Sequence, residues 1–234
     1  MSYSKLNKRI SLEGGFSTEI LWEDESFLIA NKPSGLPVHE TKDPKRPDFT
    51  RLVAKALHIS HLRTVNRLDL GTSGIVLLGK EGADNSYLDG ILSSGKKEYL
   101  FIAEGLPDWI QKRSECFLKD GNKRVSVVRS GGKKAITEFE VLIRDDAKLL
   151  FLGKANLITG RRHQIRIMIS EEGFPILGDD VYGKEKADSE KRMYLHAWKF
   201  SFQGKDGKEV VIQSSLPKSF SERMQGIESV LKTE

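Results

Sequence analysis

Apolar and polar positions alternate along the chain in short blocks, and the blocks predict strands far more often than helices. Glu19 to Trp22 and Phe27 to Asn31 read as two strands around the polar turn Glu23-Asp24-Glu25. Lys32-Pro33-Ser34-Gly35 ends the second, because proline lacks the ladder donor and glycine permits the turn. Asp48 is placed to cap a helix whose apolar face is Leu52, Val53, Ala56 and Leu57, ending near His58. A polar, glycine-containing stretch from Arg63 to Gly74 then runs into the strand-like Ile75-Val76-Leu77-Leu78. Helical spacing returns over Ala83 to Leu92, and Lys97 to Ala103 reads as a strand.

Between Leu118 and Leu157 several strands are predicted, broken at Asp120-Gly121, Gly131-Gly132 and Asp145-Asp146. Such short turns join antiparallel neighbours, since a parallel crossover needs a dozen or more residues. A helix over His163 to Ser170 follows, with closing strands at Leu195 to Trp198 and Val210 to Ile212. The class implied is α+β, a mixed, largely antiparallel central sheet with peripheral helices. No repeat or linker divides the chain, so one domain, with room for two lobes, is the simplest organisation: 1–18 as an N-terminal extension, 19–220 as the main domain and 221–234 as a C-terminal tail.

Composition narrows the classes of function. With 38% hydrophobic and 30% charged residues over 234 positions, the chain is of globular type, and no run approaches the roughly 18 apolar residues of a membrane span. No signal-peptide segment follows the charged start, so a cytoplasmic location without membrane association is expected. Cys116 is the only cysteine, which excludes an internal disulfide and a thiolate cluster. The net charge of +5 is concentrated: Asp108 to Lys134 holds eight basic and three acidic residues, a composition suited to facing phosphates.

Asp69 is the leading candidate for chemistry. It stands in Asn66-Arg67-Leu68-Asp69-Leu70-Gly71-Thr72-Ser73-Gly74, a short loop whose small residues allow close approach of a ligand. There it could serve as base, nucleophile or metal ligand, or simply cap its own turn. In a helix Arg162 and Arg166 would share one side while Ile165 and Ile169 share another. An arginine reaching Asp69 would favour the ionised carboxylate and fix its direction. The five histidines lack zinc-site spacing, and neither a dinucleotide, a P-loop nor a GxSxG fingerprint occurs, so no metal is expected.

The motifs closely resemble the large family of RNA pseudouridine synthases, specifically the branch typified by the bacterial RluA enzyme. NRLDLGTSG from Asn66 to Gly74 is similar to the family's His-Arg-Leu-Asp signature with its following Thr-Ser-Gly. NKPSGLPVH (31–39), KEYLFIAEG (97–105), LITGRRHQIRIMI (157–169), GFPILGDDVYG (173–183) and LHAWKFSF (195–202) continue the resemblance in the same order. It implies a pseudouridine synthase fold with a catalytic cleft, conversion of uridine to its C-glycoside in ribosomal or transfer RNA, and no cofactor. It also implies Asp69 as the catalytic aspartate, Arg67 as an aid to flipping the nucleotide, Tyr99 as the ring against the base and Arg166 as the partner of the carboxylate. Asn66, Arg161, Arg162, Lys123, Arg124, Lys133 and Lys134 complete the expected RNA-facing set, with the Lys112 to Lys134 surface supplying backbone contacts. A monomer with no obligate protein partner is expected. Two positions depart from the pattern, Asn66 and Met168, where histidine is usual, and altered binding or loop packing is expected there. The competing reading is an RNA-binding protein that keeps the fold without the catalysis.

Overall fold

The computed structural model describes residues 4–41, 43, 45–122, 124–183 and 192–232. Its strands are β1 (Ser4–Ser11), β2 (Ser17–Glu23), β3 (Phe27–Lys32), β4 (Leu62–Thr64), β5 (Ser73–Lys80), β6 (Lys96–Glu104), β7 (Gln111–Asp120), β8 (Val125–Val128), β9 (Lys133–Asp145), β10 (Leu150–Leu157), β11 (Leu195–Gln203) and β12 (Glu209–Gln213). The helices are α1 (Phe49–Ala56), α2 (Asn85–Ser94), α3 (Gln164–Glu171), α4 (Lys218–Arg223) and α5 (Ile227–Leu231). The α+β class with largely antiparallel strands and peripheral helices is therefore the one the sequence pattern predicts.

Two units divide the chain, one of Met1–Lys96 with Ala197–Ser215, the other of Lys97–His196 with Leu216–Glu234. In the first, the strand order is β1-β2-β3-β5-β11, with β4 on β5 and β12 on β11. Its core gathers Ile20, Leu28, Ala30, Leu36, Phe49, Val53, Val76 and Leu78. The predicted cap holds α1 in place: Asp48 accepts from the Arg51 N–H at 3.0 Å while Phe49, Leu52 and Val53 are buried. In the second unit the order is β6-β10-β9-β7-β8, each pair antiparallel. Its turns fall where the glycine and aspartate dipeptides predict them, and α3 lies over a core that includes Phe101, Phe139, Phe151, Ile165 and Ile169.

The flanks carry more structure than their composition suggests. β1 pairs with β2 from Ser4 opposite Glu23 to Ser11 opposite Ser17. In the second unit, Phe220, Met224 and Ile227 pack with Ile102, Leu152 and Tyr194. None of the described helices is long and apolar enough to cross a membrane. No group of three or more His, Cys, Asp or Glu among the described residues is arranged to hold a metal ion.

Candidate active site

In the first unit the Asp69 loop leaves β4, turns at Asp69 to Thr72 and enters β5. The Thr72 N–H donates to the Asp69 carbonyl at 3.1 Å, closing that turn, and the Asp69 side chain is half-buried. The Lys32 to Gly35 segment anchors the turn from beside it. The Gly35 N–H donates to the Leu70 carbonyl at 2.9 Å and Ser34 Oγ to the Gly71 carbonyl at 2.7 Å. Lys32, fully buried, spreads its ammonium over three carbonyls: Leu36 at 2.7 Å, Pro33 at 2.9 Å and Leu70 at 3.4 Å. A buried ammonium is tolerable only when its donors are used, and here they knit two loops together.

Asn66 secures the other end. Its Oδ1 accepts from the Leu77 N–H at 2.7 Å and its Nδ2 donates to the Ile75 carbonyl at 3.2 Å, so the amide extends the ladder of β5. One planar amide thus satisfies a donor and an acceptor of the same strand. Gly74 has φ of +111°, and a Cβ there would lie 2.2 Å from the Ala197 carbonyl oxygen on β11. Only glycine fits at that position. Arg67 is exposed and has no hydrogen bond or ion pair among the described residues.

The second unit holds the remaining candidates. Arg166, in the first turn of α3, is buried and meets Asp179 edge to edge: Nε donates to Oδ2 at 2.8 Å and Nη2 to Oδ1 at 2.7 Å. The exposed Asp180 adds a contact of 3.2 Å from Nη2. Asp179 Oδ1 also accepts the N–H groups of Val181 and Tyr182 at 2.9 and 3.0 Å. Burial opposes ionisation of Asp179, but the Arg166 hydrogen bonds and charge, joined by those two N–H donors, prevail and hold its carboxyl below the usual value. The Tyr182 ring faces both Arg166 and Arg124, at 5.5 and 5.4 Å from the guanidinium carbons. Its hydroxyl takes the Val125 N–H at 2.8 Å and stands 3.1 Å from His163 Nδ1.

Tyr99 sits on β6 opposite Ala155, partly buried against the core of this unit. The helix side expected to be shared by Arg162 and Arg166 needs correcting. α3 begins only after His163, whose φ of 52° breaks the helical path, so Arg162 shares no helix side with Arg166. Arg161 and Arg162 instead brace the basic hairpins: Arg161 Nε donates to the Lys134 carbonyl at 3.1 Å, and Arg162 Nη1 to the Gly121 carbonyl at 2.9 Å. Met168 is likewise a core residue, its sulfur accepting from Thr137 Oγ1 at 3.3 Å.

The basic window is partly neutralised by its own neighbours. Lys112 pairs with Glu172, Arg113 with Glu138 and Lys134 with Glu115. Lys119, Arg129 and Lys133 make no ion pair among the described residues, and Lys123 lies outside them. Sequence reasoning missed the support that Lys32 and Ser34 give the Asp69 turn in the first unit and that Asp179 and Tyr182 give Arg166 in the second. The signals were present in NKPSG and GDDVYG, where a polar residue beside a proline or glycine turn marks a backbone that needs side-chain support.

Comparison with known proteins gives these loops a family. The sequence profile of RNA pseudouridylate synthase matches residues 26–171, which include Lys32, Asn66, Asp69, Tyr99 and Arg166. An uncharacterized RNA pseudouridine synthase of Haemophilus influenzae is 34% identical over 196 residues, covering 79% of this chain and 81% of its own. Ribosomal large subunit pseudouridine synthase C of Buchnera aphidicola is 32% identical over 226 residues, covering 91% of this chain and 70% of its own. Among solved structures, human RNA pseudouridylate synthase domain containing 1 shares the fold with a TM-score of 0.73 at 20% identity, over 92% of this chain and 94% of its own. With a matched profile spanning more than half of the sequence and relatives at least 32% identical over 70 to 81% of their own length, the chain belongs to the RNA pseudouridylate synthases, isomerases that convert uridine in RNA to pseudouridine.

Proposed function

We propose that the chain isomerises a uridine of ribosomal RNA, with Asp69 acting at C1′ of the flipped nucleotide, Arg166 holding that carboxylate, Tyr99 lying against the base and Arg67 assisting the flip. The reaction breaks the N1 to C1′ bond, turns the uracil and joins C5 to C1′, and the proton on C5 leaves at the end. Atoms and electrons balance without oxidant, reductant or energy input. Asp69 serves either as nucleophile at C1′ or as the base that removes a proton from the sugar, and in both roles it must be ionised and aimed.

The observation that carries this reading is the support of the Asp69 turn. Lys32, Ser34, Gly35 and Asn66 fix the backbone on both sides of one carboxylate that needs no such care as a surface residue. Arg67, two residues away and exposed, is available to an RNA strand. Taking a base out of its stack costs a few kcal/mol, which a cation entering the vacated place and contacts to phosphates offset. Lys119 on β7, Arg129 in the β8–β9 turn, Lys133 on β9 and Arg124 just before β8 supply such contacts. Ribosomal RNA is the preferred substrate because several relatives bear the name ribosomal large subunit pseudouridine synthase.

Large-subunit ribosomal RNA transcribed with tritium at uridine C5 tests this directly. The wild-type protein is expected to release tritium, and Asp69→Asn to lose about a thousandfold or more in rate while melting at the wild-type temperature. Release by Asp69→Asn at the wild-type rate would overturn the assignment of the carboxylate. Release from transfer RNA but not from ribosomal RNA would overturn the substrate.

A further inference from the structure

We propose that Asp179 is the positioning residue for Arg166, a buried carboxylate whose task is to fix the plane and direction of the guanidinium during pseudouridine formation. The inference deepens the reading above and rests on it for the step Arg166 serves. An arginine side chain has four flexible torsions and no inherent direction, so an arginine meant to hold a reacting group must itself be held. Arg166 is held on three sides. Asp179 takes the Nε and Nη2 edge, which sets the guanidinium plane, and the Tyr182 ring covers one face. The backbone of α3 fixes the stem.

Asp179 is in turn held more firmly than an ordinary ion-pair partner. Its side chain is 0% exposed and its two oxygens accept four hydrogen bonds, two from Arg166 and two from Val181 and Tyr182. The Asp179 N–H donates to the Ile176 carbonyl, and the Gly183 N–H to the Asp179 carbonyl, so the turn carrying it is closed at both ends. Asp180 offers the same chemistry from an 84% exposed side chain and a single 3.2 Å contact, which solvent can replace. A buried ion pair is a poor way to stabilise a fold, because apolar residues of similar size do so as well or better. The site keeps the pair because direction, more than adhesion, is what it supplies.

Asp179→Asn tests the idea. The asparagine Oδ1 still accepts from Val181, Tyr182 and Arg166 Nη2, preserving the turn, but its Nδ2 faces the Arg166 Nε donor, so the charge and one arm of the fork are lost and the guanidinium plane is released. With tritiated RNA, kcat is expected to fall about a hundredfold while KM for RNA changes less than about threefold. Combined with Arg166→Gln, the double variant is expected to be no slower than Arg166→Gln alone. Should Asp179→Asn fold poorly, the apolar pair Arg166→Met with Asp179→Leu provides a folded protein, expected to match Arg166→Met in kcat. A kcat within twofold of wild type for folded Asp179→Asn, or losses in the double variant that simply multiply, would overturn the proposal. So would recovery of full kcat on cooling, the mark of a purely structural defect. Asp69→Asn run in parallel separates the readings: its inactivity with an unaffected Asp179→Asn removes this inference alone, whereas its activity removes the role of Asp69 and leaves the Arg166 and Asp179 cycle to be judged by its own coupling.

Discussion

The two units fix their candidate residues by different physics. In the first, the Asp69 side chain is short, so its place is set once the backbone from Asn66 to Gly74 is set, and hydrogen bonds from Lys32, Ser34, Gly35 and Asn66 do this by gripping peptide groups. In the second, Arg166 is long, and its place is set at the far end by another charge, Asp179. A short acid wants a rigid loop and a long base wants a partner. The first solution depends on close backbone packing, whereas the second depends on ionisation, and perturbations can be chosen that touch only one of them.

Gly74→Ala should hit the first unit hardest. The added Cβ would sit 2.2 Å from the Ala197 carbonyl oxygen and 2.6 Å from its nitrogen, at a φ that side chains resist. Because both neighbours are strand backbone, relief requires pulling β5 from β11, and a loss of about 4 kcal/mol or more is expected in denaturant titration. Soluble, fully stable Gly74→Ala protein would show that the loop is not held by close approach.

Lys32→Met is the next step down. It keeps the stem's volume but withdraws every donor from the carbonyls of Pro33, Leu36 and Leu70. Leaving those groups buried and unmet should cost about 3 kcal/mol, and the rate of pseudouridine formation should fall with it as the Asp69 turn loosens. The comparison sharpens if amide exchange rises over residues 33–36 and 69–72 of this variant and stays unchanged over α3. Equal loss of protection in both regions would mean the lysine supports the whole molecule instead of one loop.

The same contrast explains how much could be read from the sequence. Turns and caps are local: Asp48, Asp120-Gly121 and Gly131-Gly132 announce themselves, and the strands between them fall where alternation places them. β1 leaves no pattern because its sequence SKLNKRIS offers few apolar residues, and its pairing with β2 depends on backbone donors that composition does not reveal. α4 follows Pro217 with only six residues, too few for a period to show. Asp69 could be singled out because its loop is contiguous. Asp179 could not, since its partner lies thirteen positions away on a helix and two neighbouring aspartates look alike until burial distinguishes them. Arg162 and Arg166 share no helical side because His163, at a φ of 52°, turns the chain between them, a break that the spacing of the residues does not announce.

Acid gives the mildest test, aimed at the second unit. His196 is completely buried, with the Phe220 ring 6.2 Å from its own, and burial followed by the charge of Arg192 pushes its pKa down to about 3. The unfolded chain takes up this proton near pH 6.5, whereas the folded protein refuses it until about pH 3. Below 6.5 the unfolded state therefore binds more protons, and stability is complete above that pH and drains away as pH falls toward 3. From pH 7 to pH 5 the expected loss is about 2 kcal/mol, readable as a drop in melting temperature. Asp179 acts lower on the scale: its depressed pKa gives stability that is present above about pH 3.9 and lost as the carboxylate protonates beneath it. His196→Gln, though less stable at pH 7, should lose the decline between pH 7 and pH 5 and keep the fall below pH 4. If His196→Gln retains the full upper decline, the proton is taken up elsewhere, and the second unit owes its acid sensitivity to some group other than this histidine.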